Sequence, residues 1–103
     1  MDKEDREYRI GPQDRTVIRM KNLDWIDFDE ETLPDDVDVI LGTDLIYSMQ
    51  LLPHLAKLIG ALLKKSKAQN PTALIACTQR SREFITYFLE QLALQGDLQL
   101  LFS

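Results

Sequence analysis

The sequence has little of what metal, redox and nucleotide sites usually require: one cysteine, one histidine and four scattered glycines. A single cysteine, Cys77, excludes an internal disulfide and favours a reducing compartment. The apolar run before it predicts a buried strand residue rather than a catalytic thiol. One Cys and one His cannot form a metal cluster, and no two glycines form the G-x-G of a phosphate-binding loop.

Basic residues are also outnumbered, since 12 Lys and Arg stand against 17 Asp and Glu and the net charge is -5. No stripe of basic residues with interleaved aromatics is present, so we expect no nucleic-acid partner. Lys64, Lys65 and Lys67 lie where a helix should end, which suits the helix dipole. No apolar run approaches the roughly 20 residues that span a bilayer, and the charged first ten residues do not resemble a signal peptide. We therefore expect a cytoplasmic protein without a membrane partner.

Much of the negative charge lies in residues 27–38, which we call the acidic loop. Its carboxylates are Asp27, Asp29, Glu30, Glu31, Asp35, Asp36 and Asp38. The simplest interpretation is a solvated loop. The alternative is an acidic rim that attracts a basic partner surface, such as the region around a substrate lysine.

Hydrophobic periodicity predicts strands and helices in alternation after a polar tail at residues 1–15, with residues 16–103 as one domain. Strands are predicted over 16–25, 37–44, 72–78 and 97–103, and helices over 51–67 and 82–95. The run Val39-Ile40-Leu41 is apolar on successive residues, which is typical of a parallel strand covered on both faces. Two strand–helix–strand units of this kind form right-handed parallel crossovers, so the predicted fold class is α/β.

Two motifs lie where predicted strands end, Leu23-Asp24-Trp25 and the Asp-x-x-Tyr of Thr43-Asp44-Leu45-Ile46-Tyr47. Ligands of open α/β sheets bind at the carboxyl ends of the strands. Each motif alone has an ordinary explanation, because an Asp often caps a turn and a Trp often belongs to the edge of a core. The order and spacing of the two together are more specific than either alone.

Together they resemble methyltransferase family 16, whose members are S-adenosylmethionine-dependent protein-lysine methyltransferases with a seven-strand sheet. Residues 73–96 are similar to the branch that methylates translation elongation factor 2, and the whole resemblance covers about residues 16–102. It implies a partial Rossmann-like, class I methyltransferase fold with three layers and a mostly parallel sheet. It also implies a protein substrate, with elongation factor 2 as the candidate.

The resemblance also implies roles for five residues. Asp24 would accept a hydrogen bond from the adenine amino group of S-adenosylmethionine, and Trp25 would pack against the adenine ring. Thr43 would help to position the cofactor. Asp44 and Tyr47 would lie where the target lysine meets the methyl group and would orient its amine.

The sequence departs from the family in one respect. Members begin their sheet with two strands and a glycine-rich loop that holds the methionine part of the cofactor, and this sequence has no counterpart. In the family order 3-2-1-4-5-7-6, loss of strands 1 and 2 leaves strands 3 and 4 roughly 14 Å apart unless they pair directly. We therefore expect a truncated chain that is weak or inactive alone. The alternative is a non-catalytic α/β interaction module that keeps the substrate-facing surface.

Overall fold

A computed structural model of the chain describes residues 6–43, 48–76, 82–96 and 99. It contains four strands and two α-helices, joined by short 3-10 turns at Pro12–Asp14 and Glu30–Thr32. The elements are β1 (Arg6–Ile10), β2 (Thr16–Met20), β3 (Val39–Thr43), α1 (Leu52–Lys65), β4 (Thr72–Ala76) and α2 (Arg82–Ala93). The chain is thus an α/β protein, as the periodicity predicts.

A strand–helix–strand unit forms the centre of the fold. β3 and β4 pair in parallel, with Leu41 opposite Leu74, and α1 connects them. The N–H of Thr72 donates to the carbonyl of Asp38 at 3.0 Å and begins the ladder. The parallel pairing predicted for the first strand–helix–strand unit is therefore confirmed. The second depends on a strand at 97–103, which lies outside the described residues except for Gln99, so it stays a prediction.

The helix α1 forms because its apolar side chains recur every three or four residues and Pro53 is confined to its first turn. It packs against α2, and the two helices bury one core cluster. Its members are Leu52, Leu55, Ala56, Ile59, Phe88 and Leu92. Gly60 allows the close approach, since a Cβ there would stand 3.0 Å from both Cβ and Cγ of Gln95. The Lys64 ammonium donates to the Gln95 carbonyl and ties the helices together at the same end.

Only one face of the β3–β4 sheet is covered in the described part of the chain. Ile40, Ala73 and Ile75 pack against the helical core, whereas Leu41 on the other face is 76% exposed. The prediction of cover on both faces is therefore wrong for these residues. The cause is that α1 and α2 pack on each other and lie on the same side of the sheet.

Residues 6–20 form a hairpin in which β1 lies within the segment 1–15 predicted as a polar tail and β2 lies within the strand predicted over 16–25. β1 pairs with β2 antiparallel, from Arg6 opposite Met20 to Ile10 opposite Thr16. Gly11, with a φ of 86°, turns the chain between the strands in a conformation that glycine adopts without strain. Three charged residues in β1 kept the segment from being predicted as a strand on its hydrophobicity. In the structure β2 pairs with β1 and not with β3, so the described strands form one antiparallel and one parallel pair.

None of the helices in the described ranges is both long enough and apolar enough to cross a membrane.

Candidate functional site

The Leu-Asp-Trp motif lies in the loop after β2, because the strand ends at Met20 instead of continuing to Trp25. The Oδ1 atom of Asp24 accepts a hydrogen bond from the Ile26 N–H at 2.9 Å, which fixes the carboxylate in a local turn. Asp24 is exposed. A carboxylate has about four lone-pair positions, so this one bond leaves acceptor capacity for a ligand amine.

Trp25 is half-buried and packs against the helical core cluster. Contact with the core holds the indole in place, and the side chain remains partly exposed. The structure thus places Trp25 at the edge of the core, and its stacking on a ligand ring stays a prediction. No aromatic pattern in the sequence alone distinguishes these two roles.

The second motif begins where β3 ends. Thr43 is the last residue of β3, opposite Ala76, and it is exposed. Asp44 and Tyr47 lie outside the described residues, so their positions are untested and their roles stay predictions. Beyond them the chain turns at Ser48, whose carbonyl accepts from the Leu51 N–H at 3.1 Å, and α1 follows.

Met49, two residues after the Asp-x-x-Tyr segment, packs against the same core cluster as Trp25. The proximity of the two motifs stays a prediction, because residues 44–47 lie outside the described residues.

The acidic loop is anchored to the carboxyl-terminal end of α1. This contact between distant segments was not predicted from the sequence. The Lys65 ammonium donates to the carbonyls of Glu30 and Glu31 at 2.6 and 3.1 Å. The Ser66 hydroxyl donates to the Val37 carbonyl at 2.5 Å. Leu33, 5% exposed, is the buried side chain of the loop. These contacts use backbone carbonyls, so most of the carboxylates remain directed to the surface.

A signal for this anchoring exists in the sequence. The lysines from Lys64 to Lys67 were explained by the helix dipole alone, although the seven carboxylates of the acidic loop are also possible partners for their charge. Lys67 makes that contact through both its backbone and its side chain. Its N–H donates to the Asp35 carbonyl at 2.7 Å, and its ammonium lies 3.0 Å from the Asp35 carboxylate.

The Lys67–Asp35 pair shifts both ionisations. The hydrogen bond from Lys67, followed by its charge, lowers the pKa of Asp35 below the ordinary 3.8. The hydrogen bond to Asp35 and its charge likewise raise the pKa of Lys67 above the ordinary 10.5. The contribution of Asp35 to stability is therefore present above about pH 3.8 and is lost as the pH falls through its lowered pKa. The contribution of Lys67 to stability is present below about pH 10.5 and is lost as the pH rises through the raised pKa of its ammonium.

We expect Lys67→Met to move the pKa of the Asp35 carboxyl back toward 3.8, because the two largest lowering interactions, the hydrogen bond from Lys67 and its charge, disappear. Carboxyl carbon shifts followed by NMR from pH 2 to 6 measure this, with Lys57→Met on α1 as the matched control. An Asp35 titration that is the same in the wild type and Lys67→Met would contradict the pairing.

Groups of three or more His, Cys, Asp or Glu side chains that could hold a metal ion do not occur among the residues that the structure describes. The carboxylates of the acidic loop accordingly carry no argument for a cation.

Comparison with known families identifies the family to which the chain belongs. A family model described as lysine methyltransferase matches residues 9–95, from within β1 to just beyond α2. No curated protein and no solved structure matches the chain. The matched range includes both motifs, both helices and the acidic loop, and it spans most of the sequence. The chain therefore belongs to the lysine methyltransferase family.

Proposed function

We propose that the protein acts in S-adenosylmethionine-dependent methylation of lysine side chains in proteins. The observation that carries this proposal is the family match over residues 9–95, a range that includes both motifs. The parallel β3–α1–β4 unit is the kind of unit from which a Rossmann-like, mostly parallel sheet is built, and the described residues provide one helical layer of the three-layer fold that the resemblance implies. The first motif would serve the cofactor and the second the substrate amine.

The residues present fit the adenine part of the cofactor. Asp24 offers an exposed carboxylate that one backbone N–H already orients. The adjacent Trp25 offers an indole that the core holds in place. An exocyclic amine donates to a carboxylate, and a flat heterocycle stacks on an aromatic face. Thr43, exposed at the end of β3, supplies a hydroxyl beside the second motif.

The residues present do not fit the methionine part. Binding it takes a glycine-rich loop in this family, and the four glycines of this chain are at least 18 positions apart. Gly42 occupies a buried position within β3, and Gly60 is a buried residue within α1. We accordingly propose that the 103-residue chain by itself binds the cofactor weakly and transfers methyl groups slowly or not at all.

Catalysis would fall to Asp44 and Tyr47 at the carboxyl end of β3. When bound, S-adenosylmethionine supplies a methyl group on a positively charged sulfur. A carboxylate and a phenol beside the substrate amine can orient its hydrogens and stabilise the charge that develops on its nitrogen. By resemblance, translation elongation factor 2 is the proposed substrate and the cytoplasm the proposed location.

Calorimetric titration of S-adenosylmethionine into the 103-residue chain tests the cofactor part of the proposal. We expect a dissociation constant weaker than about 1 mM, because an adenine contact alone provides only a few kcal/mol. Trp25→Ala should weaken the residual binding further, and Phe28→Ala, in the acidic loop, should leave it unchanged. Micromolar binding by the 103-residue chain would overturn the proposal that it binds weakly.

A second candidate function is a non-catalytic interaction module that binds a basic protein segment. The anchored acidic loop favours it, because Lys65 and Ser66 hold the loop in one shape while its carboxylates face solvent. Two variants distinguish these functions. Binding of elongation factor 2 that survives Asp44→Ala and is lost on replacing Asp36 and Asp38 by Asn would favour the module.

A further inference from the structure

Lys65 differs from the neighbouring lysines at the end of α1. Lys64 and Lys67 are exposed, whereas Lys65 is half-buried. Its ammonium donates to two backbone carbonyls of the acidic loop, those of Glu30 and Glu31, at 2.6 and 3.1 Å. Hydrogen bonds from a charged donor are roughly twice as strong as those between neutral groups. The Lys65 side chain therefore fixes this part of the loop to the helix.

The backbone that Lys65 binds is a 3-10 turn with hydrogen bonds of its own. The Asp29 side chain accepts from the Glu31 N–H at 2.9 Å, and the Thr32 hydroxyl donates to the Asp29 carbonyl at 2.8 Å. Leu33, which follows the turn, is buried. Because these bonds hold the turn together, the contact with Lys65 fixes the turn as a unit.

The Leu-Asp-Trp motif is close in sequence to this turn. The Ile26 N–H binds the Asp24 carboxylate and closes a local turn around Trp25. Asp27 and Phe28 alone separate the two turns. The three peptide units across this gap reach about 11 Å at most. A 3-10 turn held on α1 therefore restricts where the indole can lie.

Contact with the core is by itself a weak anchor for the motif. Trp25 is half-buried, and Leu23 and Ile26 on either side of it are 41% and 59% exposed. Segments with few buried apolar contacts open locally at a low cost in free energy. The position of the motif therefore depends on anchored backbone nearby, and the turn bound by Lys65 supplies it within a few residues.

We propose that Lys65 is a positioning residue for Asp24 and Trp25, the pair assigned to the adenine group. Its ammonium holds the 3-10 turn on α1, and the turn keeps the indole at the edge of the helical core. The consequence for the cofactor rests on the proposed function, whereas the placement of Trp25 does not. Replacement of Lys65 therefore changes the position of the indole whether or not the indole binds adenine.

Tryptophan fluorescence tests the placement, because Trp25 is the only tryptophan of the chain. In Lys65→Met we expect the acrylamide quenching constant to rise about twofold over the wild type, since the half-buried indole becomes exposed when its segment opens. Lys65→Arg should restore the wild-type constant, because a guanidinium also donates to two carbonyl oxygens. Lys64→Met is the matched control and should behave as the wild type, since the Lys64 ammonium binds the Gln95 carbonyl at the end of α2.

Hydrogen exchange distinguishes this local change from unfolding of the whole domain. Lys65→Met should lower the protection of the Glu31 and Leu33 amides, which are bonded within the turn, and leave that of Ile59 in α1 unchanged. Loss of protection at Ile59 as well would give Lys65 a general structural role and overturn the proposal. So would unchanged quenching in Lys65→Met, an equal rise in Lys64→Met, or a rise that Lys65→Arg does not reverse.

The same fluorescence signal tests the consequence for the cofactor. S-adenosylmethionine added to the 103-residue chain should quench Trp25 with an initial slope about threefold lower in Lys65→Met, because affinity falls with the fraction of molecules that hold the indole in place. Equal slopes in the two proteins would overturn the positioning role. A wild type that the cofactor does not quench would contradict the proposed function, whereas the acrylamide result would still decide whether Lys65 positions Trp25.

Discussion

Asp44→Ala is expected to lower lysine methylation by about 100-fold or more in an active form of the protein. The carboxylate is proposed to orient the amine hydrogens and to stabilise the charge on nitrogen, and positioned groups of this kind contribute about 10²–10⁴ in rate. A suitable active form is a chimera in which the glycine-rich half of another lysine methyltransferase precedes residue 16. Transfer from tritiated cofactor to elongation factor 2 measures the effect.

Asp38→Ala is the matched control for Asp44→Ala, because it removes an exposed carboxylate immediately before β3, the strand that Asp44 follows. The control should keep its rate. Tyr47→Phe should retain part of the activity, since the ring remains and only the hydroxyl is lost. Equal labelling by wild type and Asp44→Ala would remove Asp44 from the mechanism, whereas the family assignment rests on the match over residues 9–95.

Leu52→Ala should destabilise the fold by about 3 kcal/mol, as measured by urea unfolding. Leu52 is 0% exposed and belongs to the cluster that joins α1 to α2. Its truncation removes apolar surface from the core and leaves a cavity that the two helices fill only partly. For a domain of this size, such a loss is a large fraction of the total free energy of unfolding.

Leu94→Ala provides the control for this loss. Leu94 is the same residue type, it follows α2 directly, and it is 74% exposed. Its truncation should change the free energy of unfolding by no more than about 0.5 kcal/mol. Equal destabilisation by both variants would show that the cluster around Leu52 is not the core of the fold.

The helices and the central strands were predictable because their patterns are local. The helix predicted over 51–67 is α1 at Leu52–Lys65, and the strand predicted over 72–78 has β4 at Thr72–Ala76 within it. The hairpin was not predictable in the same way. Three of the five residues of β1 are charged, and its pairing with β2 depends on a turn at Gly11 that composition marks only as a loop.

The positions of the candidate residues in the fold were predicted only in part, and their roles stay predictions. Asp24 and Trp25 were assigned to a strand end, yet they lie in a loop because β2 ends at Met20. The anchoring of the acidic loop joins residues some 30 positions apart, such as Lys65 and Glu31, and spacing along a chain does not reveal such contacts. Thr43 does lie at the end of its strand as expected.

By itself the sequence determined the α/β class and the parallel connection through α1, which follow from periodicity and residue type acting over a few neighbouring residues. The link from its two motifs to a lysine methyltransferase family came from resemblance, and the family match over residues 9–95 supports the family. Only the tertiary structure decided that both helices cover one face of β3–β4, that Trp25 rests on their core, and that Lys67 holds Asp35. Those outcomes depend on which surfaces meet in space, and packing between distant segments selects them.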